Sequence, residues 1–422
     1  MRILAPLRHR AIALLWSGLA TSAIGDQLYA VALAWIGVSV FGAHAGYLSA
    51  LSSGCLLVTA LAIGHWSDRW DRRRTMIVAD LVRAAALIGL VAAWSAFGAP
   101  PAAGLVVAVI VLAIGQACFQ PALQAVLPGV VPEPRLLPAA NGLLDATDRI
   151  ARLLGPGLIA AIAGLIPVKH FLTLDALTFL ASAIAMGLVG PVRTHRDTGA
   201  RAPILATITR GFRAMSRHPL LRYVLRTTGI WNGAWVCSLL FALPLLISRH
   251  GIAGPGGSGI GAYGLVISAY GCTNLIATLV IGSRDIPRRP QRLMLAGKII
   301  NGTGMTLLAL AGLLPAHLAL PGLAAAAALA AIGGPMADIP VAVLRQTALP
   351  VSDIPAAMRA YMVCSSGGAL VALLIAPTLI LHVGLFAVML GCGVIIVATG
   401  VGGLLLLGWG DLATETNAPT SA

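Results

Sequence analysis

The stretch that decides the fold is GHWSDRWDRRRT, Gly64 to Thr75. It is flanked by two apolar runs, Tyr47 to Ile63 and Met76 to Phe97, each close to the roughly 20 residues that carry a helix across a bilayer. A short hydrophilic segment between two such runs is a hairpin joining two membrane helices. It holds Asp68, Arg69, Asp71, Arg72, Arg73 and Arg74, although charged residues make up only 10% of the chain. Arginines packed beside helix ends are retained on the cytoplasmic side, so this hairpin orients the whole molecule.

Composition points the same way. The chain has 422 residues, 58% of them hydrophobic, and a mean hydropathy of +0.92, outside the range of soluble domains. Working outward from the hairpin, apolar runs cover Ala11–Val40, Tyr47–Ile63, Met76–Phe97, Gly104–Val126, a fifth run ending near Ile166, and His170–Gly190. Six more follow at Leu221–Ile247, Ile260–Ile281, Leu293–Leu314, Pro321–Leu344, Ala356–Leu381 and Gly384–Leu407. The expected fold class is therefore an all-α polytopic membrane protein of about twelve helices. Residues 1–190 should form one six-helix bundle and 220–422 a second with a short tail. The segment 191–219 is an arginine-rich cytoplasmic linker, and its part ILATITRGFRAMSRHPLLRYVL reads as an amphipathic helix on the inner surface.

Apart from Lys298, which falls within an apolar run, only Lys169 and Arg249 map to the outer side. Both termini are then cytoplasmic. The net charge of +14 is spread over short loops, which argues against a nucleic-acid partner. The six cysteines all lie in apolar runs without a CxxC pair, so neither a disulfide framework nor a metal site is expected. The first apolar run extends to Phe41, too long for a signal peptide, and reads as an uncleaved helix.

The halves repeat. QAVLP at Gln124–Pro128 returns as QTALP at Gln346–Pro350, PAA at Pro138 returns at Pro355, and Pro156 corresponds to Pro377. The shift is about 220 residues each time, the signature of two parallel structural repeats.

Gly64, Asp68, Arg69, Arg72, Arg73 and Arg74 stand at the spacing of the G-x-x-x-D-R-x-G-R-R loop of the major facilitator superfamily, with Asp71 in place of the usual glycine. The chain resembles that family throughout. The resemblance implies that Gly64, Asp68, Arg69, Arg72 and Arg73 form a cytoplasmic gate. Gly155-Pro156-Gly157 resembles the Gly-Pro motif of the family's exporters. GQACFQPALQAVLP, PAANG, GFRAMSRHPLLRY and LRQTALP look like the branch that contains the enterobactin exporter and macrolide efflux proteins. That likeness implies proton-driven export of a small amphipathic molecule, with a siderophore as first choice and a drug or macrolide as second.

No P-loop, GxSxG or HExxH pattern is present, so enzyme chemistry is not expected, and uphill transport needs an ion gradient and no cofactor. Asp26 lies near the middle of the first apolar run, where a charge costs about 2.5–3.5 kcal/mol on insertion scales. It must be paired, solvated by a cavity or protonated for part of the time, which makes it the candidate proton-coupling group. A purely structural acid locked to a polar neighbour is the alternative. The fifth helix carries Asp145, Asp148, Arg149 and Arg152, with acid and base four residues apart in each pair. Close packing is expected at Gly155 and Pro156, with Gly155→Leu harmful and Gly155→Ala mild. Gln27, Gln116, Gln120, Trp231, Asn232, Tyr270, Asn274 and Asp338 are candidates for lining a cavity, whereas Asp175 and Lys298 are expected to snorkel from helix ends.

The expected setting is a bacterial inner membrane, with the bilayer and a small-molecule substrate as partners of a monomer. A lysophospholipid flippase or an importer of the same fold is a second reading. A non-transporting receptor or assembly factor is a third, marked by an interior without polar lining.

Overall fold

A bilayer leaves backbone polar groups nothing to bond with except each other, and the computed structural model is accordingly helical, with no strand among the described residues. It describes residues 6–63, 71–131, 133, 136–190, 204–284, 289–350 and 353–407. In order come α1 (Arg10–Phe41), α2 (Ala45–Ile63), α3 (Arg72–Phe97), α4 (Ala102–Val130), α5 (Leu137–Ile162), α6 (Lys169–Leu188) and α7 (Ile204–Ser216). Next are α8 (Pro219–Val236), a π-helical turn over Cys237–Ala242, α9 (Leu243–Arg249) and α10 (Gly259–Gly282). The chain closes with α11 (Pro290–Ala311), α12 (Ala316–Ala348), α13 (Ile354–Val383) and α14 (Leu385–Leu407).

Among the described residues ten stretches are long and apolar enough to cross a membrane, and the first, Arg10–Thr59, takes in two helices. Besides the short α7, the helix left out of that set is α5, which carries Asp145, Asp148, Arg149 and Arg152. With α8, the π turn and α9 taken as one rod, the described residues form an all-α polytopic protein with twelve long helices and one short amphipathic one.

The residues divide into two compact units, 1–200 with 253–265, and 201–252 with 266–422. In the first, α1 packs on α5 and α6, α3 packs on α4 and α6, and α2 packs on α4. Small residues permit the α1–α6 approach. Gly18 lies against Ser182 and Ala185, and Gly25 against Asp175 and Thr178, as helix pairs in lipid require.

In the second unit α11 packs on α12 and α14, and α8 on α13 and α14. Helix α7 belongs here. Its Ala214 and Met215 are buried, Gly211 abuts the Ala356 backbone, and Arg210 donates from Nε to Asp353 at 2.7 Å. Its amphipathic pattern is thus spent partly on protein contact, with Arg213 and Arg217 left exposed.

Asp71, which replaces the expected loop glycine, has a definite task. Its carboxylate accepts the backbone N–H of Arg74 at 2.9 Å and caps α3, satisfying one of the donors a helix start leaves open.

Candidate functional site

The first unit encloses a cavity of about 620 Å³, within the range that takes a drug-sized molecule. From α1 it receives Asp26, Gln27 and Tyr29, and from α4 the row Gln116, Gln120 and Gln124, one turn apart on one face. From α5 come Asp145, Thr147, Asp148 and Arg152, and α3 contributes Arg83. Asp26 is half-buried at this surface and makes no hydrogen bond or ion pair among the described residues. The structure therefore brings Asp26, Gln27, Gln116, Gln120, Asp145, Asp148 and Arg152 to one wall system. Gln124, which the sequence marks only through the internal repeat, continues the same face at the four-residue spacing.

Behind the cavity lies an ion pair that sequence reasoning passed over. Arg83 donates to Asp80, one turn back on α3, and the two side chains are 3% and 1% exposed. Arg83 also donates to Gln116 Oε1 at 2.9 Å. Its guanidinium lies over the rings of Phe119 at 4.9 Å and Phe179 at 4.2 Å, the face-on geometry in which aromatic rings attract a cation. Gly115 makes room, since a Cβ there would come within 2.7 Å of the Arg83 chain. The signal was an acid and a base three apart inside an apolar run, the same kind of pattern that was noticed on the fifth helix.

Two side chains expected to snorkel do not. Asp175 is 0% exposed and Lys298 2% exposed. Asp175 is closed over by α1 at Gly25, and the Lys298 ammonium donates to Thr227 Oγ1 at 2.6 Å between the rings of Tyr223 and Trp231. Reach to a helix end does not decide the matter once neighbouring helices enclose the side chain.

On α5, Arg152 pairs with Asp148, with exposures of 65% and 44%, so the pair itself adds little stability. The Arg149 side chain lies outside the described residues. Gly155 is a contact point, because a Cβ there would collide with Cβ of Gln27 and approach its Cγ within 3.2 Å. The milder expectation for alanine is therefore corrected. The obstacle is the base of a side chain, which cannot swing aside, so Gly155→Ala should itself cost about 1–3 kcal/mol by overpacking. Thermal unfolding in detergent checks this, and a midpoint equal to that of the wild type would contradict it. Pro156 continues inside α5.

Of the hairpin residues, Gly64, Asp68 and Arg69 lie outside the described residues, while Arg72 and Arg73 open α3. Arg73 donates to the carbonyls of Met186 at 3.0 Å and Gly187 at 2.6 Å, at the end of α6 where carbonyls lack helical partners. A cation there also meets the negative helix end. Arg73→Ala should lower stability by about 1 kcal/mol, and Arg73→Lys, which cannot fork to both carbonyls, should fall between. Identical unfolding midpoints for all three would remove the capping role.

The other candidates sit in the second unit. Trp231 donates to Asn301 Oδ1 at 2.9 Å, Asn232 to the Ser365 carbonyl at 3.0 Å, and Asn274 to the Ala331 carbonyl at 3.1 Å. Tyr270 accepts from Trp235 at 2.8 Å. These polar atoms join helices to one another, whereas Asp338 on α12 is exposed.

Ten spans of bilayer length among the described residues, with buried charges and a polar cavity within the first unit, define a polytopic membrane protein. Residues 15–297 match the family model described as Major Facilitator Superfamily, and the chain belongs to that family. It is 28% identical over 183 residues to Macrolide efflux protein A of Streptococcus pyogenes, covering 42% of this chain and 43% of that protein. It is 31% identical over 222 residues to Multidrug efflux pump Tap of Mycobacterium tuberculosis, covering 50% and 51%. The chain thus matches about half the length of these relatives.

Among solved structures, a peptide transporter POT in complex with sulfate superposes with a TM-score of 0.71 at 14% identity, covering 97% of this chain and 96% of that one. A bacterial homolog of the human lysosomal transporter Spinster gives 0.64 at 15% identity, covering 98% of each. At such identities the likeness concerns the fold alone.

Proposed function

We propose that the protein is a secondary transporter that exports a small amphipathic molecule across a bacterial inner membrane, driven by protons moving the other way. The observation that carries this reading is Asp26, an acid with no hydrogen-bond or ion-pair partner among the described residues, on the wall of a polar cavity large enough for an organic ligand. Such a group can exchange a proton with the cavity. It can thereby favour one carrier state over another, which is what coupling demands. No cofactor is needed, and the working unit is a monomer with both termini in the cytoplasm.

For the substrate we place a drug or macrolide ahead of a siderophore. The similarity to a macrolide efflux protein and a multidrug pump supports this order. The charges support it as well: Arg83 and Arg152 already hold Asp80 and Asp148, leaving the Asp26 carboxyl facing the cavity. A polyanionic ligand would meet like charge there, whereas a neutral or amine-bearing one would not.

The test is reconstitution of the wild-type protein in liposomes with an imposed pH difference, using ethidium and erythromycin as probes. Accumulation of either that a protonophore abolishes is expected. Failure to concentrate both would overturn the proposal.

A further inference from the structure

Immediately behind Asp26, α6 places a second acid that the cavity does not reach. Asp175 is 0% exposed. It lies where α1 comes closest to α6, and a Cβ added to Gly25, the residue before Asp26, would stand 2.5 Å from Asp175 Oδ1. That oxygen accepts the Thr178 hydroxyl at 3.2 Å, while Oδ2 has no hydrogen-bond partner among the described residues. The helices packed against α6 are α1 and α3. From α1 the groups within electrostatic reach of Asp175 are Asp26 and Tyr29, and from α3 they are Asp80 and Arg83. One guanidinium thus serves three carboxyls, and it is already bound to Asp80 and Gln116.

An ionised carboxylate shut away from solvent with no cation in contact is costly, and a buried acid in that position takes up a proton instead. We propose that Asp175 is a proton-binding site, the occluded member of a two-acid relay whose cavity-facing member is Asp26. The transfer balances within the unit. Asp26 takes a proton from cavity water and passes it to the Asp175 carboxylate, so that Asp175 holds the proton at rest and the negative charge sits on the acid that faces the cavity. Release reverses the step, Asp175 returning the proton to the Asp26 carboxylate and Asp26 giving it to water. The charged Asp26 is then free to meet an amine-bearing ligand or to take the next proton from water. This division of labour gives the carrier a proton that is held while the cavity changes occupancy. Its transport consequence rests on the proton-coupled reading, but the occupancy of Asp175 does not.

Infrared difference spectroscopy of the full-length protein in nanodiscs tests the site without any substrate. At neutral pH the wild type should show the C=O stretch of a protonated carboxyl that responds slowly to deuterated buffer. The band should vanish in Asp175→Asn, persist in Asp26→Asn, and return displaced in Asp175→Glu. Absence of the band from the wild type, or its persistence in Asp175→Asn, would show Asp175 ionised and overturn the proposal. Should Asp175→Asn fail to fold, an undisplaced band in Asp175→Glu overturns it equally. A wild type that shows this pattern yet accumulates no ethidium supports the proton site and removes only the transport reading.

Discussion

Arg83→Ala is expected to cost about 3–5 kcal/mol of stability and to abolish gradient-driven export, because removing one partner of a buried ion pair strands the other charge. Asp80 and Arg83 are 0% and 2% exposed, so the carboxylate left behind is a buried charge without its cation. The change also frees Gln116 and empties the space between Phe119 and Phe179. Replacing both charges, as in Asp80→Leu with Arg83→Met, should recover most of the stability, since apolar groups of similar volume often match a buried pair. Export should stay lost in the double variant, because the cation within electrostatic reach of Asp26 is gone. Thermal unfolding of the two single variants and the double one closes a mutant cycle. Additive losses would mean that the charges do not depend on each other.

Asp26→Asn is the second large effect. The amide mimics the protonated acid permanently, so under the proposed proton coupling one of the two alternating states is removed. Export against a gradient should fall to background, while exchange of ethidium down its gradient continues. Binding of ethidium should lose its dependence on pH, because a site that cannot titrate cannot favour different carrier states. Among the described residues Asp26 makes no hydrogen bond or ion pair that amidation would break, so the unfolding midpoint should stay near that of the wild type. A large drop in stability would instead assign Asp26 a structural role.

The helical architecture was legible because apolar runs of bilayer length and arginine-rich turns are written locally. Asp26 was legible for the same reason, as an acid near the middle of such a run. What the sequence withheld depends on which helix faces which. Asp175 and Lys298 look like residues near helix ends until Gly25 closes over one, and Thr227, Tyr223 and Trp231 enclose the other. The Asp80–Arg83 pair stood in plain view at an i,i+3 spacing, but its burial comes from Gln116, Phe119 and Phe179 on two other helices. Gly155 was rightly read as a packing point, yet the size of the alanine effect turns on Gln27, a partner that periodicity in one chain segment does not name. Trp231, Asn232 and Asn274 show the converse. Polar residues in apolar runs drew attention as cavity lining, and their hydrogen bonds tie helices of the second unit together.

The most direct measurement of proton coupling through Asp26 follows internal pH in liposomes that hold the purified protein and a trapped pH-sensitive dye. A gradient of ethidium or erythromycin is imposed with no pH difference at the start. Substrate moving through the wild type should drive protons the opposite way and shift the internal pH, and Asp26→Asn should carry substrate with no shift. Substrate flux through the wild type at constant internal pH, or a shift in Asp26→Asn equal to that of the wild type, would contradict it.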